Sequence, residues 1–257
     1  MIWRVGVVGD PIEHSLSPQL QEAGLKLAGL QGSTSRLKLS ADKIEQLRAA
    51  ISNEFDALSV TMPLKQVAAS LCDELDPVAI RTGVVNSLLN RNGRIYGSCT
   101  DGKGLLEMVK EKYLFDESGS SIVVIGAGGA ATGIIDALQY SDVASIAVLN
   151  RTASKIEGLQ AKYSKVSSVI PSKIDLLINT VPSDSRVAPS SIVGVTSETL
   201  CVDITYSPRE SEWMKFFESE GCRTTNGLGM LAYQAALQFN WWWNSKIDGS
   251  DLLKVIS

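Results

Sequence analysis

The 257-residue chain contains a single histidine, His14. A triad with an imidazole base, or a zinc site ligated by imidazoles, therefore has almost nothing to draw on. Cysteine is sparse as well. Cys72, Cys99, Cys201 and Cys222 are scattered without a C-x-x-C pair, so we expect no metal site and thiols kept reduced in a cytoplasmic protein. No tyrosine is followed four residues later by lysine, which removes the Tyr/Lys acid–base pair of short-chain dehydrogenases. No apolar run reaches the ~18 residues of a membrane span. The opening MIWRVGVVGD turns polar too soon for a signal peptide and reads as a first strand. An excess of one charge is also lacking. The formal net charge is −4, so nucleic-acid binding has no electrostatic support, and an anionic ligand must be met by local donors. The remainder, 44% hydrophobic and 20% charged, is an ordinary globular composition, long enough for one large domain or two small ones.

What is present is concentrated first in SIVVIGAGGAATGIIDAL, residues 121–138. A β-branched run leads into Gly126-Ala127-Gly128-Gly129-Ala130-Ala131, and an apolar-periodic helix follows. This is the strand–turn–helix of a dinucleotide site in its G-x-G-x-x-A form. Gly126 permits the tight turn, Gly128 lets backbone approach a pyrophosphate, and Ala131 is small enough for close helix–strand packing. The helix N-terminus offers free N–H groups to the phosphates. The next strand, Ser145–Leu149, ends at Asn150-Arg151-Thr152, with Lys155 one helical turn on. An NAD site usually has a carboxylate here for the ribose hydroxyls. Arg151 instead suits a 2′-phosphate, so the cofactor expected is NADP.

The rest of the chain alternates strand and helix, which predicts an α/β fold with a mostly parallel sheet and an antiparallel edge. Strands are expected at Arg4–Val8, Ser35–Leu39 and Ala57–Thr61. Helices are expected at Ser17–Ala28, Ala41–Ile51 and from about Lys65 to Cys72. Val84–Asn90 and Arg94–Ser98 read as a hairpin. A helix over Lys103–Lys112 leads to Asp116–Ser120, the best linker candidate. Further strands follow at Asp175–Thr180, Thr199–Ile204 and Arg223–Thr225, then a long apolar helix, Met230–Trp243. We expect a discontinuous substrate-binding and catalytic domain, residues 1–101 with 230–257, and a Rossmann-type NADP domain, residues 102–229, with a cleft between them. Trp241-Trp242-Trp243 reads as aromatic packing on the C-terminal helix, and His14 as a residue hydrogen-bonded within its loop.

Four polar clusters fall where loops leave strands, the place where α/β sheets bind ligands. In Gly9–Pro18, Ser15 and Ser17 present two hydroxyls before a helix, a neutral cradle for a carboxylate; Ser17 also reads as an N-cap with Pro18 at N1. In Ser59–Lys65, the lysine sits at a helix start, where the dipole disfavours a cation. Besides a solvated surface lysine, that placement suggests a second reason for its presence. Val84-Val85-Asn86 puts an amide at a strand end. In Gly97–Gly102, Asp101 reads either as an N-cap or as the partner that holds Lys65 charged and aimed. A Lys⁺/Asp⁻ couple supplies the proton that reduction of a ketone by hydride requires.

In order, GDPIEHSLSP, VTMPLK, GVVNS, TDGKG, GAGGAA, NRT and NGLGMLAYQAA resemble the motifs of the shikimate dehydrogenase family and span residues 5–236. The resemblance implies an NADP-dependent oxidoreductase of two α/β domains that reversibly reduces 3-dehydroshikimate to shikimate, in the chorismate route to aromatic amino acids. It implies Lys65 and Asp101 as the catalytic pair and Ser15 and Ser17 as ligands of the substrate carboxylate. Thr61, Asn86, Asp101 and Gln234 would hydrogen-bond the ring hydroxyls. Gly126–Ala131 and Asn150-Arg151-Thr152 would hold NADP, with Tyr206 and Gly227 near the nicotinamide. The chain departs from the family where Asn-Val-Thr becomes Ser59-Val60-Thr61 and where Asp-Asn-Thr-Asp becomes Ser98-Cys99-Thr100-Asp101. Those departures touch the reading of hydroxyls and leave the cradle and the couple intact. A quinate or aminoshikimate dehydrogenase paralogue, or a non-catalytic NADP-binding sensor, is the alternative. The partner expected is a small molecule, with no nucleic acid and no membrane, and the assembly a monomer or homodimer.

Overall fold

A computed structural model describes residues 2–182 and 188–257. The chain divides into two compact units, Met1–Leu105 with Leu231–Ser257, and Leu106–Met230.

The first unit is built from β1 (Trp3–Gly9), α1 (Ser17–Leu27), β2 (Gly32–Lys38), α2 (Ile44–Asn53), β3 (Ala57–Val60), α3 (Lys65–Ser70), β4 (Glu74–Leu75), α4 (Pro77–Thr82), β5 (Ser87–Arg91) and β6 (Arg94–Ser98). Its six-stranded sheet has the order β2-β1-β3-β5-β6-β4. Only β5 runs against its neighbours, β3 and β6. The antiparallel member is thus internal rather than at the edge, because β6 pairs on its far side, and the two-residue β4 then adds in parallel beyond β6. β1 lies between β2 and β3, with Val8 opposite Val60. Loops leaving β1 and β3 therefore emerge side by side, and Asp10 N donates to Met62 O at 2.9 Å to tie them together. Gly9 is required at this junction: a Cβ there would sit 2.4 Å from Thr61 Cγ2. Leu47, Ile51, Leu58, Leu64, Val85 and Leu88 form the core under one face, at ~1.5–3 kcal/mol for each large apolar side chain buried.

The helix α4 and the strand β4 are absent from the sequence reading. Yet α4 is capped at both ends, by the Asp76 carboxylate accepting from Ala79 N at 2.6 Å, by Pro77 in the first turn, and by Gly83 in the left-handed conformation. At α1, Ser17 is the first helical residue and not its cap. Leu16 holds the cap position without a side-chain bond, and Ser17 N donates to Ser15 Oγ at 3.2 Å. His14 is exposed and makes no hydrogen bond in its loop among the described residues, contrary to expectation.

The second unit contains β7 (Ser121–Ile125), α6 (Gly129–Gln139), β8 (Ser145–Leu149), α7 (Ala153–Lys162), β9 (Val166–Ser167), β10 (Leu176–Asn179), β11 (Leu200–Asp203), α8 (Glu212–Ser219) and β12 (Arg223–Thr225). All pairs in its sheet, β12-β11-β10-β7-β8-β9, are parallel. The near-continuous apolar run of β7 follows from burial on both faces. Residues 116–120, expected as the linker, are an internal turn of this unit, with Ser118 N on Asp116 Oδ1 and Gly119 at φ 68°. The chain instead changes units within two helices, α5 (Asp101–Tyr113) and α9 (Leu228–Trp243), before closing the first unit with α10 (Gly249–Ile256). In α9, Trp242 is fully buried and packs on Phe239 at a 5.3 Å centroid distance, while Trp243 packs against Trp3.

Candidate active site

In the first unit, Lys65 and Asp101, thirty-six positions apart, meet: Lys65 Nζ lies 2.6 Å from Asp101 Oδ2. The lysine side chain is 17% exposed and the carboxylate 5%. Asp101 opens α5 but does not spend itself on capping that helix, because Asn86 Nδ2 donates to its second oxygen at 2.8 Å. Asn86 is held in turn by Thr100 N, which donates to its Oδ1 at 2.9 Å. Gln234, from α9, reaches the same cluster through Oε1, which accepts from Asn86 Nδ2 at 3.1 Å. Gly104 makes that approach possible: a Cβ there would lie 2.6 Å from Gln234 N. A buried carboxylate with two donors and an ammonium with two further protons is a ready proton source.

The other expected substrate residues lie on loops from the same sheet. Thr61 follows β3 directly, its N donating to Val8 O at 2.9 Å. Ser15 and Ser17 are in the loop after β1, and no hydrogen bond joins them to Lys65 or Asp101 among the described residues. That loop is braced from β2 by two cations that the sequence reading overlooked. Arg36 donates to Ser15 O at 2.7 Å, and Lys38 bonds Glu13 at 2.7 Å. The Lys38 hydrogen bond, with backbone N–H groups of the loop, pulls the Glu13 carboxyl down to about 2. Cys99, close to the couple, is 4% exposed, and burial pushes its thiol far up, with the Asp101 charge adding to the effect. It is therefore not a reactive thiolate.

Three buried residues enlarge the cluster: Gln238, Ser59 and Gln21. Gln238 donates to Asn86 O at 2.9 Å and to Gln234 Oε1 at 2.8 Å, and accepts from Ser59 Oγ at 2.6 Å. Gln21 donates to Ser59 Oγ at 3.1 Å. Gln238 follows Gln234 by four positions on a helix otherwise almost apolar, so the i, i+4 pair of amides was the signal that could have revealed it.

In the second unit, Gly126 has φ 110°, and a Cβ on it would meet Thr180 Oγ1 at 2.3 Å. Gly128 caps α6 without a side chain and has open space where its Cβ would be. Ala127, Gly129 and Ala130 are partly exposed around it, while Ala131 is fully buried. The first N–H groups of α6 are thus left for a ligand. Ile125 pairs with Leu149, and Gly126 N donates to Leu149 O at 2.8 Å, so Asn150-Arg151-Thr152 follows the strand beside the glycine turn. Arg151 and Lys155 are exposed and form no ion pair among the described residues. These residues fit a phosphorylated dinucleotide. Tyr206 lies in the loop after β11. There the buried Asp203 accepts from Thr205 N and Oγ1 and from Ser211 Oγ, and Gly227 N donates to Thr205 O at 2.9 Å. Gly227 admits no side chain, its Cβ position being 1.9 Å from Ile204 O.

A parallel sheet with a glycine turn at a helix start, together with a buried lysine–carboxylate couple, defines a dinucleotide-dependent α/β oxidoreductase. Residues 7–88 match the family model of the shikimate dehydrogenase substrate binding domain, and residues 107–210 that of shikimate/quinate 5-dehydrogenase. The chain is 34% identical over 259 aligned residues to a shikimate dehydrogenase (NADP(+)) of Exiguobacterium sp., covering 98% of this chain and 97% of that one. The chain belongs to the shikimate dehydrogenase family. Among solved structures, it is similar to the Thermus thermophilus shikimate 5-dehydrogenase in complex with NADP(H) and shikimate, at 29% identity, TM-score 0.88 and coverage of 99% and 98%. It also resembles the Aquifex aeolicus shikimate dehydrogenase, at 26% identity, TM-score 0.89 and coverage of 99% and 97%.

Proposed function

We propose that this protein catalyses the reversible, NADPH-dependent reduction of 3-dehydroshikimate to shikimate. The observation that carries the reading is the Lys65–Asp101 pair at 2.6 Å, buried and steadied by Asn86, in a chain of this family. Lys65, aimed by its contact with Asp101, gives a proton to the carbonyl oxygen as it becomes an alcohol, and takes it back in the reverse direction. Asp101 keeps the ammonium in place and accepts from a substrate hydroxyl, with Asn86, Thr61 and Gln234 on the remaining hydroxyls. Ser15 and Ser17 hold the carboxylate through hydroxyls, and Arg36 fixes the loop that presents them. Gly126–Ala131 hold the pyrophosphate of NADP, Asn150, Arg151, Thr152 and Lys155 its 2′-phosphate end, and Tyr206 and Gly227 the nicotinamide end. When bound, the nicotinamide supplies the hydride.

The four cysteines are free and mostly buried, which agrees with a reducing cytoplasm, and we expect a monomer or homodimer. The test is NADPH consumption by the purified protein with 3-dehydroshikimate, and NADP reduction with shikimate, against quinate and NAD as competitors. Turnover with shikimate and NADP at a higher kcat/KM than with quinate or NAD is expected. A preference for quinate, or dinucleotide binding without turnover, would overturn the assignment.

A further inference from the structure

The buried amides around the couple have a fixed polarity, and main-chain groups impose it. A carbonyl only accepts and a backbone N–H only donates. The Gln21 atom facing Gly6 O at 2.8 Å is therefore nitrogen, as is the Gln238 atom facing Asn86 O at 2.9 Å and the Gln234 atom facing Leu231 O at 2.9 Å. The Asn86 atom facing Thr100 N is oxygen. With those ends pinned, the directions between side chains follow. Gln21 donates to Ser59, Ser59 donates its one proton to Gln238 Oε1, and Gln238 donates to Gln234 Oε1. Asn86 donates to Asp101, where the chain of donors ends against the lysine.

This order has a consequence at Gln234. Its oxygen is occupied by two donors, Gln238 Nε2 and Asn86 Nδ2, and one Nε2 proton goes to Leu231 O. What remains for a ligand is the other N–H. Gln238, 1% exposed and one turn along α9, is the shorter of the two donors on that oxygen and, together with Leu231 O on the nitrogen, keeps the Gln234 amide from turning over.

We propose that Gln238 is a positioning residue. Acting with Leu231 O and Asn86, it holds Gln234 so that the substrate meets a hydrogen-bond donor there, and so that the substrate atom facing Gln234 is an acceptor, a hydroxyl or oxo oxygen. The inference rests on the reading of Gln234 as a substrate-binding residue. Ser59 is part of the device, since its hydroxyl is the donor that holds Gln238 Oε1.

The full-length protein is assayed as wild type, Gln238→Met, Gln234→Ala and the double variant, with KM and kcat for 3-dehydroshikimate and KM for NADPH. Methionine keeps the volume and removes the amide. Gln238→Met is expected to raise the substrate KM about 5–30-fold, the cost of one misdirected buried hydrogen bond, with NADPH KM unchanged. The double variant is expected to be no worse than Gln234→Ala, because Gln238 acts through Gln234. Single-variant effects that multiply in the double, or a wild-type substrate KM in Gln238→Met, would overturn the assignment. If Gln238→Met does not fold, Ser59→Ala takes its place; a rise in substrate KM alone supports the proposal and an unchanged one defeats it. Wild-type protein inactive on 3-dehydroshikimate would instead sink the functional reading itself, and this inference with it.

Discussion

Lys65 begins a six-residue helix whose dipole opposes its charge, and it is held there by a carboxylate that arrives from the start of α5. Removing the ammonium removes the proposed proton source and leaves the carboxylate to Asn86. Lys65→Ala is expected to lower kcat about 10²–10⁴-fold, the range for loss of a general acid, while a titration of NADP binding is unchanged. In the second unit, Arg151 forms no ion pair among the described residues that would have to break before it can meet a phosphate. Arg151→Ala should weaken NADP binding about 10-fold or more, as loss of a charge-assisted hydrogen bond does, and leave NAD binding as it was, a difference that calorimetry with both nucleotides measures. These residues were legible in the sequence because their chemistry is local: a cation at a disfavoured helix end, and an arginine where an acid is usual. Gln238 and Gln21 were not, because a glutamine on an apolar face declares nothing until its partner is known, and Ser59 lies 179 positions from Gln238.

At the scale of elements, the strands were the most readable feature, since β-branched runs such as Ile122–Ile125 have no competing interpretation beside a glycine turn. Ends and short pieces were less so. α4 is six residues long and its caps, Asp76 and Gly83, carry more of its signal than its interior does. Asp76→Ala is expected to cost about 1 kcal/mol, as the loss of an N-cap, read as a lower midpoint in denaturant. The loop between β1 and α1 offers a pH test. The Glu13 carboxyl is drawn down from an ordinary 4.5 to about 2, first by its hydrogen bond from Lys38. A depressed carboxylate stabilises fully above its unfolded value and loses that contribution as pH falls through the folded one. The stability difference between wild type and Glu13→Gln should therefore be constant above about pH 5 and shrink to nothing between 4.5 and 2. The effect is small and salt-sensitive because the pair is exposed.

At the scale of the whole molecule, the charge balance of −4 gives an anionic nucleotide no long-range attraction, so its affinity depends on contacts within a Debye length, about 10 Å at 0.1 M salt. Raising salt should weaken NADP several-fold more than NAD, measurable by the ratio of their dissociation constants across a salt series. The discontinuity of the first unit was legible in outline, from a long apolar helix after the last strand. Its boundaries, expected after residues 101 and 229, fall after 105 and 230, inside α5 and α9, while Asp116–Ser120, which has the composition of a linker, is not one. That arrangement also orders events during synthesis. Residues 106–230 leave the ribosome before Gln234 and Gln238 do, and domains fold as they emerge. A polypeptide that stops short of position 231 thus carries the entire glycine-turn half and a lysine–aspartate couple that keeps Asn86 but lacks Gln234 and Gln238, and it is expected to take up the coenzyme without turnover. Competence is conferred by the last tenth of translation.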